Sequence, residues 1–118
     1  MIYLIRSGQY FKIGHTQNLC TRMRQYVTDN PSLKLLATIN TQAKTKHRLE
    51  TALHRELIQL GYKFHKASIL DDEISTEWFR VSNPKSFQAL GLTQFKACKG
   101  RMITEYRKNR PYAHYKIK

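Results

Sequence analysis

Acidic residues are scarce in this chain: eight Asp and Glu stand against 21 Lys and Arg in 118 residues, a formal charge of +13. A surface with that excess repels itself and attracts polyanions, so nucleic acid is the first partner the composition suggests and an anionic membrane surface the second. Cysteine is scarce too. Cys20 and Cys98 are the only two; they lack metal-ligand spacing and are too few for a disulfide scaffold. They read as free thiols in or near a core, which fits a reduced, cytoplasmic setting. No apolar run approaches the roughly 20 residues of a membrane-spanning helix, and the amino terminus has a strand pattern in place of a signal-peptide core. A membrane protein is therefore not expected. There is no internal repeat and no low-complexity linker. The length suits one compact domain, and 41% apolar residues suffice for a core.

The few acids are unevenly placed. Residues 1–49 hold eight Lys and Arg and the single acid Asp29, and residues 81–118 hold nine bases and the single acid Glu105. Six of the eight acids fall between 50 and 80, where Asp71-Asp72-Glu73 reads as a solvated loop. The two flanks supply the basic surface.

Ile2-Tyr3-Leu4-Ile5-Arg6 is β-branched and aromatic, Gly8 marks a short turn, and residues 10–14 make a second strand, so an antiparallel hairpin is expected. Asn18 is a good N-cap, and Leu19, Met23, Tyr26 and Val27 share one helical face until Asn30-Pro31 stops the helix. Residues 33–40 read as a third strand. Residues 43–60 read as a helix with the apolar stripe Leu49, Ala52, Leu53, Leu57 and Leu60, capped by Gly61. Residues 65–76 read as a polar loop. Trp78-Phe79-Arg80-Val81 is a compact apolar segment, either a short strand or the start of a turn, whose Trp78 and Phe79 are expected to close the core. Pro84 opens a short helix that Gly91 should close, and a last helix is expected over 93–108 with Gly100 as its weak point. The order β-β-α-β-α gives an α/β (α+β) domain: a small three-stranded antiparallel sheet flanked by helices, over residues 1–92. Residues 93–118 are expected as a basic helical extension and tail.

Three elements in that order carry chemistry-bearing residues. They are the strand containing Tyr3, then Lys12-Ile13-Gly14-His15-Thr16, then Arg22 eight residues after Gly14 on the first helix. The long helix adds His47-Arg48-Leu49-Glu50-Thr51-Ala52-Leu53-His54. Arg22 and Glu50 each lie at the edge of an apolar stripe, where a charged group must find a partner or reach water. Together these residues resemble a GIY-YIG nuclease domain, of the phage-type branch that reads KIG where the name-giving members read YIG. The likeness spans residues 1–81, about two-thirds of the chain.

The resemblance implies a phosphodiesterase site. Tyr3 takes the place of the general base, and nearby cations are expected to lower its pKa by favouring phenolate. Lys12 stands where the first YIG tyrosine would be and can hold phosphate as a point charge. Gly14 is expected where the backbone turns closely into the helix. Arg22 is the helix arginine, suited to bidentate phosphate binding, with a structural bridge to Glu50 as its alternative. Glu50 is the expected metal ligand, for Mg²⁺ or Mn²⁺, since one carboxylate with water and phosphate oxygens is a common way to hold Mg²⁺. Tyr10, His15, Tyr26 and His54 are further catalytic or substrate-contacting candidates. Glu77 rivals Glu50 as a metal ligand, and Asn83 is a weaker match to a late polar position. Arg24, Lys96, Lys99, Arg101, Arg107, Lys108 and Arg110 are the expected nucleic-acid contacts, since bases interleaved with aromatics, as at Tyr106, Tyr112 and Tyr115, suit backbone binding plus base stacking. The implied function is a divalent-metal-dependent DNA endonuclease on duplex or branched DNA, with RNA as a further substrate class, acting as monomer or homodimer in a bacterial or phage-infected cell. The alternative is a nucleic-acid-binding module that keeps the fold with weak or no catalysis.

Overall fold

Ile2–Ser7 (β1) and Tyr10–His15 (β2) pair antiparallel around Gly8-Gln9, with Ser7 opposite Tyr10 and Ile2 opposite His15. Gly8 takes φ +64°, the backbone region that primed two-residue hairpin turns require. In the computed structural model, residues 1–29, 32–41, 43–65 and 78–102 are described. Leu19–Asp29 (α1) follows the hairpin, and Asn18 caps it by accepting the Thr21 N–H at 3.0 Å. Lys34–Ile39 (β3) then pairs antiparallel with β1 on its other side. Ala43–Gln59 (α2) ends at Gly61, whose φ of +102° is the left-handed cap conformation expected there.

The sheet has more than the three expected strands. Phe64–His65 (β4), Trp78–Arg80 (β5) and, after Pro84–Ala97 (α3), Arg101–Met102 (β6) complete an antiparallel sheet of six strands in the order β4-β5-β2-β1-β3-β6. The three added strands are two or three residues long. Such lengths carry no period-2 pattern, so pairing with a neighbour, not local sequence, defines them.

Two cores form, one on each face. Tyr3, Ile5, Leu19, Met23, Leu33 and Leu35 pack under α1. Ile2, Leu4, Phe11, Ile13, Leu53, Leu57, Phe79, Phe87 and Phe95 pack beneath α2 and α3. Because helices cover both faces, β3 is buried at five successive positions, so its sequence alternates only in part. Of the expected stripe, Leu53 and Leu57 are buried and Leu49 is partly so, but Ala52 and, just past the end of α2, Leu60 are exposed, so the stripe is narrower than expected. Phe79 is fully buried as expected, whereas Trp78 is only half-buried beside Tyr26.

The carboxy-terminal helices differ from the sequence reading. Gly91 does not end a helix; it lies buried inside α3, where a Cβ would come within 2.9 Å of Leu4 Cδ2. It lets α3 approach β1 closely. The helix stops at Ala97, Lys99 takes φ +63°, and β6 begins where a helix over 93–108 was expected. Residues 103–108 of that expected helix, and most of the loop expected over 65–76, lie outside the described residues. Cys20 and Cys98 are half-buried and not joined in a disulfide. No helix among the described residues is long and apolar enough to cross a membrane.

Candidate active site

Strand register sets the first part of the site. Tyr3 lies opposite Gly14 at the open end of the β1–β2 hairpin, and cross-strand partners share a face. The Tyr3 ring lies over that glycine: a Cβ at position 14 would be 2.4 Å from Tyr3 Oη and 2.7 Å from Cζ. Gly14 is within β2 and outside the positive-φ set, so it serves to admit the phenol and not, as expected, to turn the chain into α1.

The buried Tyr3 hydroxyl shares a hydrogen bond with Tyr26 Oη at 2.8 Å, the rings meeting edge-on at 6.1 Å. Tyr26 is brought there by α1, one turn beyond Arg22, and its other side meets Trp78. Burial is the largest influence on the Tyr3 phenol, and with Tyr26 it pushes the pKa far above the ordinary phenol range; Glu50 pushes the same way. Arg22 is near enough to pull it down but is overridden. Tyr26 is raised as well, chiefly by burial. The expected cation-favoured phenolate is therefore corrected: desolvation outweighs the nearby guanidinium, and Tyr3 rests protonated.

Glu50 reaches this end of the sheet from α2. Its Oε1 is hydrogen-bonded by His15 Nδ1, and its Oε2 lies 3.8 Å from His54 Nε2. His54 Nε2 is also 2.8 Å from the Ile13 carbonyl, which only accepts, so this nitrogen carries a hydrogen. His15 further meets His47 edge-on at 5.8 Å. Among the ion pairs of the described residues, Glu50 is held by these histidines, and the alternative bridge to Arg22 does not form. Tyr3, Tyr26, Arg22, Glu50, His15 and His54 thus come together from β1, β2, α1 and α2.

The family model of the T5orf172 domain matches residues 1–103. The chain belongs to the T5orf172 domain family. That family is part of the broader GIY-YIG nuclease superfamily. No curated protein and no solved structure matches the chain.

The remaining candidates scatter over this T5orf172 domain. Lys12 is half-buried opposite Ile5, on the Tyr3 face of β2. Tyr10 is at the far end of β2, four residues or about 13 Å of strand from Gly14, and does not join the site. Arg24 is exposed on α1. Lys96, Lys99 and Arg101 are exposed where α3 passes into β6. Arg101 pairs with Thr38, which pairs with Tyr3, so it lies in the same sheet row two strands away, about 10 Å off. Asn83 is structural: its side chain caps α3 by accepting the Ser86 N–H. Glu77, Arg107, Lys108 and Arg110 lie outside the described residues.

Beside the cluster is a cleft of about 390 Å³, walled by the β2–α1 connection (His15, Thr16, Gln17, Asn18), by Thr21, Arg22 and Gln25 of α1, and by Lys46 of α2. Among the described residues no carboxylate lines it. Gln17, Gln25 and Lys46 were not singled out by sequence, and Asn18 only as a helix cap. The available signal was helical spacing: Lys46 stands one turn before Glu50, and Gln25 one turn after Thr21.

Among the described residues no three His, Cys, Asp or Glu side chains are set to hold a metal ion. A full protein cage, of the kind zinc takes, is therefore not built from them. Glu50 Oε2 lies 3.8 Å from His54 Nε2. A single carboxylate fits a hard cation that keeps most of its water and takes its other ligands from a phosphate.

Proposed function

We propose that this T5orf172 domain binds nucleic acid and lays a phosphodiester against the open end of the β1–β2 hairpin. The observation that carries this is the cleft itself, lined by Arg22 of α1 and Lys46 of α2 with no acid among the described residues, on a chain of charge +13. A polyanion reaching it meets cations and neutral hydrogen-bonding groups, and the field of the basic flanks steers it there. Arg101, in line with Tyr3, extends the basic track along the sheet row. The test is fluorescence anisotropy with a labelled duplex over a salt series. Affinity should fall steeply with salt, and Arg22→Gln with Lys46→Gln should flatten the log–log slope by about 0.9 per lost phosphate contact. A slope unchanged in the double variant refutes the placement of the phosphate track.

A second reading, metal-dependent endonuclease activity of the KIG type, is favoured by the meeting of Tyr3, Tyr26, Arg22 and Glu50 at one point. In it, Arg22 holds the scissile phosphate bidentately and Lys12 adds a point charge. Tyr3, neutral at rest, keeps its own proton and orients the attacking water through its hydroxyl, while the water's proton passes to a phosphate oxygen or to solvent. Glu50 would hold Mg²⁺ or Mn²⁺, which supplies positive charge to the phosphate oxygens. His15 and His54 keep the carboxylate in place. Nicking of supercoiled plasmid in the presence of Mg²⁺, absent in Glu50→Gln, separates this reading from binding alone. A preparation that binds duplex and never nicks, in Mg²⁺ or Mn²⁺, leaves the binding module as the function.

A further inference from the structure

Successive side chains of a strand point to opposite faces, and cross-strand partners share a face. On the Tyr3 face, β2 therefore presents Tyr10, Lys12 and Gly14, and β5 presents Trp78 and Arg80. Helix α1 covers only part of this face. Its Leu19 and Met23 pack with Tyr3 and Ile5 of β1 and with Leu33 and Leu35 at β3. The β2–β5 half is left more open: Arg80 is exposed, Tyr10 is 36% exposed, and Lys12 and Trp78 are half-buried. A sheet face is ordinarily apolar and covered by another layer. This half carries two cations and two aromatic rings, with no acid on β2 or β5. Arg80 forms no ion pair among the described residues.

The open half runs on from the phosphate position. Gly14 and Tyr3 are at one end of it, and Arg22 is close enough to act on the Tyr3 phenol. Lys12 and Tyr10 follow at steps of about 6.7 Å along β2. Arg80 stands opposite Tyr10, about 13 Å of strand from Gly14, which matches the rise of about four base pairs. Arg22 and Arg80 are thus placed for different phosphates of one nucleic acid, with Lys12 between them. The rings are the lesser part of the surface. Trp78 meets Tyr26 edge-on and is half-buried there. Stacking on bare bases needs open ring faces, so the surface suits a backbone better than unpaired bases.

We infer that the open β2–β5 face is a backbone-binding surface for duplex nucleic acid, in which Lys12 and Arg80 hold phosphates to one side of the phosphodiester at Arg22. This rests on the nucleic-acid-binding reading and adds the path: the duplex runs along β2 from the cleft toward the Gly8 turn. Contacts of this kind set the position of the duplex and carry no sequence information.

Trp78 is the single tryptophan of the chain, so its fluorescence reports on this face. The test uses the full chain in EDTA with a mixed-sequence duplex. Saturating duplex should shield Trp78 from quenching by acrylamide. Arg80→Gln should reduce the log–log salt slope of binding by about 0.9, the share of one phosphate contact. Arg55→Gln removes the same charge from an exposed position on α2, which packs on the opposite face of the sheet, and should leave the slope unchanged. A slope that is unchanged in Arg80→Gln, or that falls equally in both variants, overturns the surface. So does an indole as open to acrylamide in the complex as in the free protein. Tighter binding of the corresponding single strand, lost in Tyr10→Ser, overturns it in favour of a stacking platform. In each of these cases a slope that still depends on Arg22 and Lys46 leaves the binding reading standing. Failure to bind duplex overturns both.

Discussion

Replacing Gly14 by alanine tests the closest contact of the site. The new Cβ would be 2.4 Å from Tyr3 Oη, 2.7 Å from Cζ and 3.1 Å from Cε1, where ordinary contact begins near 3.4 Å. The ring must therefore retreat by about 1 Å. It cannot do so freely, because Ile5, Leu19, Met23, Leu33 and Leu35 pack around it. Overpacking of that kind costs about 1–3 kcal/mol. The retreat also takes Tyr3 Oη from Tyr26, 2.8 Å away, a hydrogen bond worth about 1 kcal/mol. Gly14→Ala should thus destabilise the domain by about 2–4 kcal/mol in urea unfolding. The control is a double-mutant cycle with Tyr3→Leu, which removes the atoms the Cβ would strike. In that background Gly14→Ala should cost less than about 1 kcal/mol, a coupling of at least about 1–2 kcal/mol. Equal cost in both backgrounds would refute the reasoning and return Gly14 to a backbone role.

Three further outcomes are expected. With the Tyr3 and Tyr26 pKa values raised by burial, both phenols stay neutral at pH 7. Their contribution to stability is full below the unfolded phenol pKa near 10 and is lost as pH rises above it; a spectrophotometric titration should find Tyr3 ionising only with unfolding and Tyr26 ionising above the ordinary phenol range. If both ionise near pH 10 in the folded protein, the buried pair is misassigned. Gly91→Ala should cost about 1–3 kcal/mol by chemical denaturation, because its Cβ would meet Leu4 Cδ2 at 2.9 Å; a stabilising effect, as expected for an exposed helix glycine, would contradict the close approach of α3 to β1. Should the chain cleave DNA, Tyr3→Phe should lower the rate without shifting the pH profile near neutrality, since the phenol is not titrating there; a profile that shifts would show a Tyr3 pKa within the neutral range.

The sequence by itself determined the hairpin, the two main helices, the third strand and the motif order that brings Tyr3, Arg22 and Glu50 together. These follow from local rules: β-branched runs, a glycine turn, Asn18 as cap, and apolar spacing at helical period. Gly91 shows where local rules stop. A glycine reads as a helix end in sequence, yet here it marks contact with Leu4, a residue 87 positions away. The short strands β4, β5 and β6 are likewise defined by their partners, and the cleft by side chains from three elements. Even the state of Tyr3 belongs to this class. Sequence placed cations near the phenol, but only the packed fold, by excluding water from both faces of the ring, decided that desolvation outweighs them.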